Sequence, residues 1–155
     1  MAIPNWDEYF LSQIKIISSR SKDPNTQIGC LIVGKDHEIR TTGYNSFVRG
    51  LDDNVPERYL RPEKYWWIEH AERNAIYNAA RIGTPLNDCT IYIPSLPCVE
   101  CARAIVSVGI REVVNSAPAV ERWRQTTTTY QEHIERMFQM FAECGVQIRS
   151  VDIDI

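Results

Sequence analysis

No stretch of this sequence approaches the roughly 20 apolar residues needed to cross a bilayer. Its opening segment holds Asp7 and Glu8 and no long apolar run, so it does not read as a secretory signal. Nor is there an excess of positive charge: 17 Lys and Arg face 20 Asp and Glu, for a formal net charge of −3. A polynucleotide binder carries a basic face that survives salt. This balance requires none, and a small anionic ligand held by a few local cations fits it better. No internal repeat is visible. These absences predict a cytoplasmic protein with neither a membrane nor a nucleic acid as partner. Cysteine is sparse, at five residues, and in that compartment the thiols stay reduced.

What is present suffices for one domain over residues 1–155, because 44% of the residues are apolar. Asn5 followed by Glu8 has the spacing of a reciprocal helix cap, and Phe10, Ile14 and Ile17 then share one helical face. Asp23-Pro24-Asn25 breaks the chain. Residues 28–33 read as a strand that turns at Gly34-Lys35-Asp36 and returns over 38–44 as a hairpin. Residues 45–69 form a long irregular segment rich in aromatics, a length that is unusual unless functional. Helices are predicted over 70–81 and 98–108, with strands over 90–93, 112–115 and 146–151. A last helix carries Tyr130, Ile134, Met137, Phe138 and Phe141 on its apolar stripe. Five strands interleaved with helices imply an α/β fold whose mixed sheet is covered on both faces. Cys30, Cys89 and Cys144 lie in apolar surroundings and read as buried structural thiols.

The chemistry concentrates in His70, Glu72, Cys98 and Cys101, with Pro97 before the first cysteine. Cysteines three apart on a helix present their sulfurs on one face. Near a helix start, free N–H groups and the helix dipole favour the thiolates that zinc requires. His70 also lies at a predicted helix start. One nitrogen and two sulfurs give three protein ligands, which leaves a tetrahedral Zn2+ one position for water, the catalytic arrangement. Glu72 then serves as a general acid/base beside the metal. Two other readings stay open on the residues alone. A structural zinc would recruit a fourth ligand from His37, His133 or Cys144, and a redox Cys-x-x-Cys would give His70 and Glu72 no role.

His70-Ala71-Glu72 with Pro97-Cys98-Val99-Glu100-Cys101 resembles the zinc nucleobase deaminase signature. The chain as a whole is similar to the deoxycytidylate deaminase family of the cytidine deaminase superfamily, to about Val114. Ser21-Lys22-Asp23-Pro24-Asn25-Thr26-Gln27-Ile28-Gly29 resembles the family's segment before its first strand, and Gly43-Tyr44-Asn45 its loop after the second. The resemblance implies a three-layer α/β/α sandwich around a five-stranded mixed sheet. It implies a homo-oligomer, often a hexamer, and hydrolytic deamination of dCMP to dUMP by zinc hydroxide attack at C4, with Glu72 carrying the proton. It also implies that Asn45 contacts the sugar or base; a turn asparagine with left-handed backbone is the plainer reading. Arg20, Lys22 and Arg49 flank the loops expected near the site and are candidate phosphate contacts; solvated surface cations are the plainer reading. Tyr65-Trp66-Trp67 fits core or interface packing better than base stacking.

The sequence departs from the family in three places. Ser46 stands where glycine is usual. Residues 46–69 hold no cysteine or histidine, which leaves a second zinc unsupported. The segment after Asn115, to Tyr130, does not follow the usual continuation, and triphosphate feedback control is not expected. Rival substrates are dCTP, CMP, a modified deoxycytidylate or another nucleobase. A transfer-RNA adenosine deaminase calls for a basic surface, and a riboflavin-pathway deaminase is commonly fused to a reductase for which this chain has no room. From another class comes a catalytically idle module that senses zinc or a nucleotide, against which the intact Glu72 weighs.

Overall fold

The computed structural model describes residues 2–126 and 131–155. Asn5 opens helix α1 (Trp6–Ser18) by accepting from the Glu8 N–H, and the Glu8 carboxylate accepts from the Asn5 N–H in return. Two orphan donors are thereby satisfied at once. Strands β1 (Gly29–Val33) and β2 (Ile39–Tyr44) form the expected antiparallel hairpin. The five-stranded sheet runs β2-β1-β5-β6-β7, with β5 (Thr90–Tyr92), β6 (Glu112–Ser116) and β7 (Gln147–Val151). β1 pairs antiparallel with β5, whereas β5, β6 and β7 run parallel. The sheet is therefore mixed, as expected.

Strand alternation sorts the core into two halves. Cys30 and Ile32 of β1, Ile91 of β5 and Val113 of β6 face helices α3 (Ala71–Ile82), α4 (Val99–Ser107) and α6 (Gln131–Cys144). Leu31, Val33, Tyr92 and Val114 face the other way, onto Phe10, Leu11 and Ile14 of α1. The sheet thus lies between two helical layers, and both faces are buried.

Residues 45–69 are more regular than the sequence suggested. Ser46–Phe47 (β3) and Ile68–Glu69 (β4) pair as a two-stranded ribbon, and α2 (Lys64–Trp67) is a single turn. Strands this short carry no readable alternation. Helix α5 (Ala117–Thr126) also escaped notice, because only Val120 among its residues is buried. Of the last helix, Met137 and Phe141 are buried and Phe138 is 38% exposed, while Tyr130 lies outside the described residues. Two packing expectations need correction. Cys144 is exposed in the last turn of α6, not buried. Tyr65 and Trp66 are 59% and 80% exposed, which corrects the core half of the core-or-interface expectation for them.

Candidate metal centre

α3 reaches the sheet because its packing side is almost bare. Ala71, Ala75 and Ala79 recur every fourth residue and are fully buried. Opposite them, a Cβ on Gly43 of β2 would fall 2.3 Å from the Ala71 carbonyl oxygen and 2.4 Å from the Ala75 nitrogen. Only glycine permits that approach. Thr41 adds a hydrogen bond from Oγ1 to the Ala75 carbonyl at 2.9 Å. Gly83 ends the helix in the left-handed conformation.

The N-termini of α3 and α4 converge. His70 caps α3, and Cys98 caps α4 by accepting from the Cys101 N–H at 3.4 Å. His70 Nδ1 lies 3.5 Å from Cys98 Sγ and 3.6 Å from Cys101 Sγ. A tetrahedral zinc with Zn–S of about 2.3 Å and Zn–N of about 2.0–2.1 Å separates nitrogen from sulfur by about 3.5 Å. The donor set and its spacing fit zinc. Among the described residues these three form the one such group, and neither His37 nor Cys144 joins it. His37 stacks instead on Trp6, with ring centroids 4.2 Å apart. Cys101 is buried, Cys98 half-buried and His70 exposed.

The neighbouring Cys101 and the His70 imidazole hold the Cys98 pKa well below the usual thiol range, against its burial. Cys101 is correspondingly pushed up. Glu72, at the second position of α3, is buried. Burial raises its carboxyl pKa, opposed chiefly by the His70 imidazole.

Arg73 was not singled out from sequence. Its Nη1 lies 3.8 Å from Cys101 Sγ, and its guanidinium is held by the Glu69 carboxylate. Glu69 also accepts from the His70 N–H at 2.9 Å. One carboxylate therefore fixes both the histidine backbone and the cation behind the thiolate. The signal for it was the four-residue spacing of Glu69 and Arg73.

The candidate phosphate contacts do converge. Arg20, Lys22 and Arg49 line one cavity of about 270 Å3, together with Asp23, Asp53 and Asn78. His70, Asn74 and Asn78 recur every fourth residue, so they share one ridge at α3, and Asn74 and Asn78 line this cavity. Asn74 Nδ2 donates to the Tyr44 carbonyl and to Ser46 Oγ, and Asn78 Oδ1 accepts from Arg49 at 2.6 Å. Sequence reading missed both asparagines, although their spacing from His70 was the clue. Lys22 is not solitary: its ammonium pairs with Asp53 at 2.7 Å.

Asn45 is buried and braced by backbone. Its Oδ1 accepts from the Ile28 N–H at 2.7 Å, and its Nδ2 donates to the Thr26 carbonyl at 2.8 Å. Its φ is not positive, so the left-handed turn reading fails; His37 and Asp88 are the non-glycine residues with positive φ among those described. Trp67 packs under the Arg58 guanidinium, 4.3 Å from the ring centroid, and neither it, Tyr65 nor Trp66 lines the cavity.

Residues 4–117 match the family model for the cytidine and deoxycytidylate deaminase zinc-binding region. The chain belongs to this deaminase family. A probable deoxycytidylate deaminase of Caenorhabditis elegans is 43% identical over 107 residues, covering 67% of this chain and 53% of the relative. The deoxycytidylate deaminase of Homo sapiens is 40% identical over 114 residues, covering 70% of this chain and 63% of that protein. The chain thus spans between about half and two thirds of the length of these curated relatives. The dCMP deaminase from the cyanophage S-TIM5, solved in complex with dCMP and dUMP, shares the fold. Its TM-score is 0.71 at 18% identity, over 97% of this chain and 100% of that one. Zinc is the cofactor of this family's region, and it matches the nitrogen and sulfur donors that meet at α3 and α4.

Proposed function

We propose that this protein is a hydrolase that deaminates dCMP to dUMP, on one domain spanning residues 1–155. His70, Cys98 and Cys101 hold the zinc, and Glu72 moves the protons. The observation that carries the reading is the triangle of His70 Nδ1 with the two sulfurs, with the buried Glu72 two residues from the histidine. Three ligands with no fourth side chain in the group among the described residues match a catalytic rather than a structural site. The deoxycytidylate deaminases among the relatives support the choice of base and sugar.

Bound zinc supplies a Lewis acid that lowers the pKa of water from 15.7 toward about 7. The chain's own part is proton traffic and positioning. Glu72 takes a proton from the attacking water and delivers it to ring N3; it then takes the remaining proton of the hydroxyl added at C4 and hands it to the amine, which departs as ammonia as the carbonyl forms. Arg20, Lys22 and Arg49 receive the phosphate in the cavity along α3. Asn45 keeps the loop between β2 and β3 in register with residues 26–28 and carries one remaining N–H for the sugar or base.

No described helix is long and apolar enough to cross a membrane. A homo-oligomer, a hexamer on the family resemblance, and a cytoplasmic location complete the proposal. Ammonia release compared across dCMP, dCTP, CMP, deoxycytidine and single-stranded DNA, with zinc measured on the same sample, tests it. The expected result is the highest kcat/KM for dCMP. Faster turnover of deoxycytidine than of dCMP would remove the phosphate role of Arg20, Lys22 and Arg49. A zinc-loaded protein inert on every substrate would leave a sensing module.

A further inference from the structure

We infer that Asp53 is a specificity-determining residue that sets how many phosphates the cavity accepts, admitting a monophosphate and rejecting a triphosphate. This rests on the reading above that the cavity takes the nucleotide's phosphate.

The argument starts from the charges that line the cavity. Arg20, Lys22 and Arg49 are cationic, and Asp23 and Asp53 are anionic. Asp23 is already spent: its carboxylate is buried and paired with the Lys64 ammonium at 2.7 Å. Asp53 occupies Lys22, also at 2.7 Å. Arg20 and Arg49 have no carboxylate partner among the described residues, and Arg49 is aimed by the neutral amide of Asn78. With Asp23 matched by Lys64, the three cations Arg20, Lys22 and Arg49 set against Asp53 leave a net charge of two positive, which matches a phosphate monoester carrying about −1.5 to −2 at neutral pH. Further phosphates would bring more negative charge to a rim where Asp53 already holds one and where no further cation among the described residues lining it is left to offset it.

Asp53 is not a carboxylate on a loose loop. Its carbonyl accepts from Tyr59 Oη at 3.0 Å, and the Tyr59 ring stacks on the buried Phe47 with centroids 4.6 Å apart. The neighbouring Asp52 carbonyl accepts from Arg58 at 3.0 Å, and the Asp52 side chain accepts from the Asn54 N–H at 2.9 Å. The carboxylate is anchored through its backbone to the ribbon that walls the cavity. A fixed like charge discriminates among ligands by repelling the wrong one. A surface carboxylate kept only for solubility needs no such anchoring.

The test compares wild type, Asp53→Asn and Asp53→Glu. Steady-state kinetics on dCMP and dCTP give the ratio of their kcat/KM values. The ratio is expected to shift about tenfold toward dCTP in Asp53→Asn, mainly through KM, and to return in Asp53→Glu, with the shift shrinking at high salt because the pair is exposed to screening. Calorimetric titration with inorganic phosphate and with tripolyphosphate reads the same selection without turnover. Asp53→Asn is expected to tighten tripolyphosphate more than phosphate. If wild type deaminates neither nucleotide, the proposed activity fails and the calorimetry alone decides this inference. Unchanged selectivity in Asp53→Asn by both measurements overturns it, as does a shift that is indifferent to salt.

Discussion

The Lys64 ammonium lies 2.7 Å from the Asp23 carboxylate, and both side chains are buried. The pair ties the aromatic segment before α3 to the turn that carries Arg20 and Lys22. Asp23 also accepts from the Asn25 and Thr26 N–H groups, so the carboxylate has no unmet demand. Burial alone would raise its pKa; Lys64 and those backbone donors outweigh it and hold the pKa below the ordinary value.

The first prediction follows from that pair. A carboxyl whose folded pKa lies below its unfolded value of about 3.9 binds fewer protons when folded, so stability rises with pH across that window. The contribution is complete above the unfolded pKa and is lost as pH falls through the folded one. Lys64→Met leaves a buried carboxylate unpaired and is expected to cost about 3–5 kcal/mol near pH 7. Protonating Asp23 removes the unpaired charge, so the gap from wild type should narrow in acid. Urea denaturation of both proteins at pH 7 and at pH 3.5 checks this; a gap that widens in acid contradicts it.

Glu72→Gln keeps the shape of the side chain and removes its proton chemistry. The kcat on dCMP is expected to fall by about 10²–10⁴. Zinc content, measured by plasma emission on the purified variant, should match wild type. Loss of zinc together with activity would make Glu72 a structural residue.

Arg73 reaches Cys101 Sγ while Glu69 holds its guanidinium. Partners of this kind orient metal ligands, and their loss typically weakens metal affinity by about 10–100-fold. Arg73→Lys retains the charge and loses the planar fork. Competition with a chromophoric chelator should show weaker zinc binding in the variant, and saturating zinc should restore much of the activity.

Gly43→Ala drives a methyl group into the backbone of α3. Overpacking of this kind costs about 1–3 kcal/mol. Because α3 begins at His70, the displacement should also reduce zinc occupancy. Thermal melts with and without added zinc are the readout, and an unchanged melt would mean that α3 can shift without strain.

Each half of the proposed metal site was legible in the sequence because each half is local. Cys98 and Cys101 share a helix start, and so do His70 and Glu72, so spacing along one chain segment already dictates their faces. The two-sided sheet was legible for the same reason, since a strand buried on both faces, as β1 is, shows as an unbroken apolar run. Charge, apolar content and helix caps likewise depend only on neighbours in the chain. What only the tertiary structure decided depends on contacts between distant segments. The meeting of the two helix N-termini rests on Gly43 lying beneath Ala71 and Ala75. The cavity gathers Arg20 and Lys22, Arg49 and Asp53, and Asn78 from three separate stretches of chain. Asn45 and Lys64 are polar residues whose burial is explained only by partners 17 to 41 positions away. Local propensity carries no record of such partners, because the cost of burying an amide or a charge is offset only where the folded chain supplies the hydrogen bond.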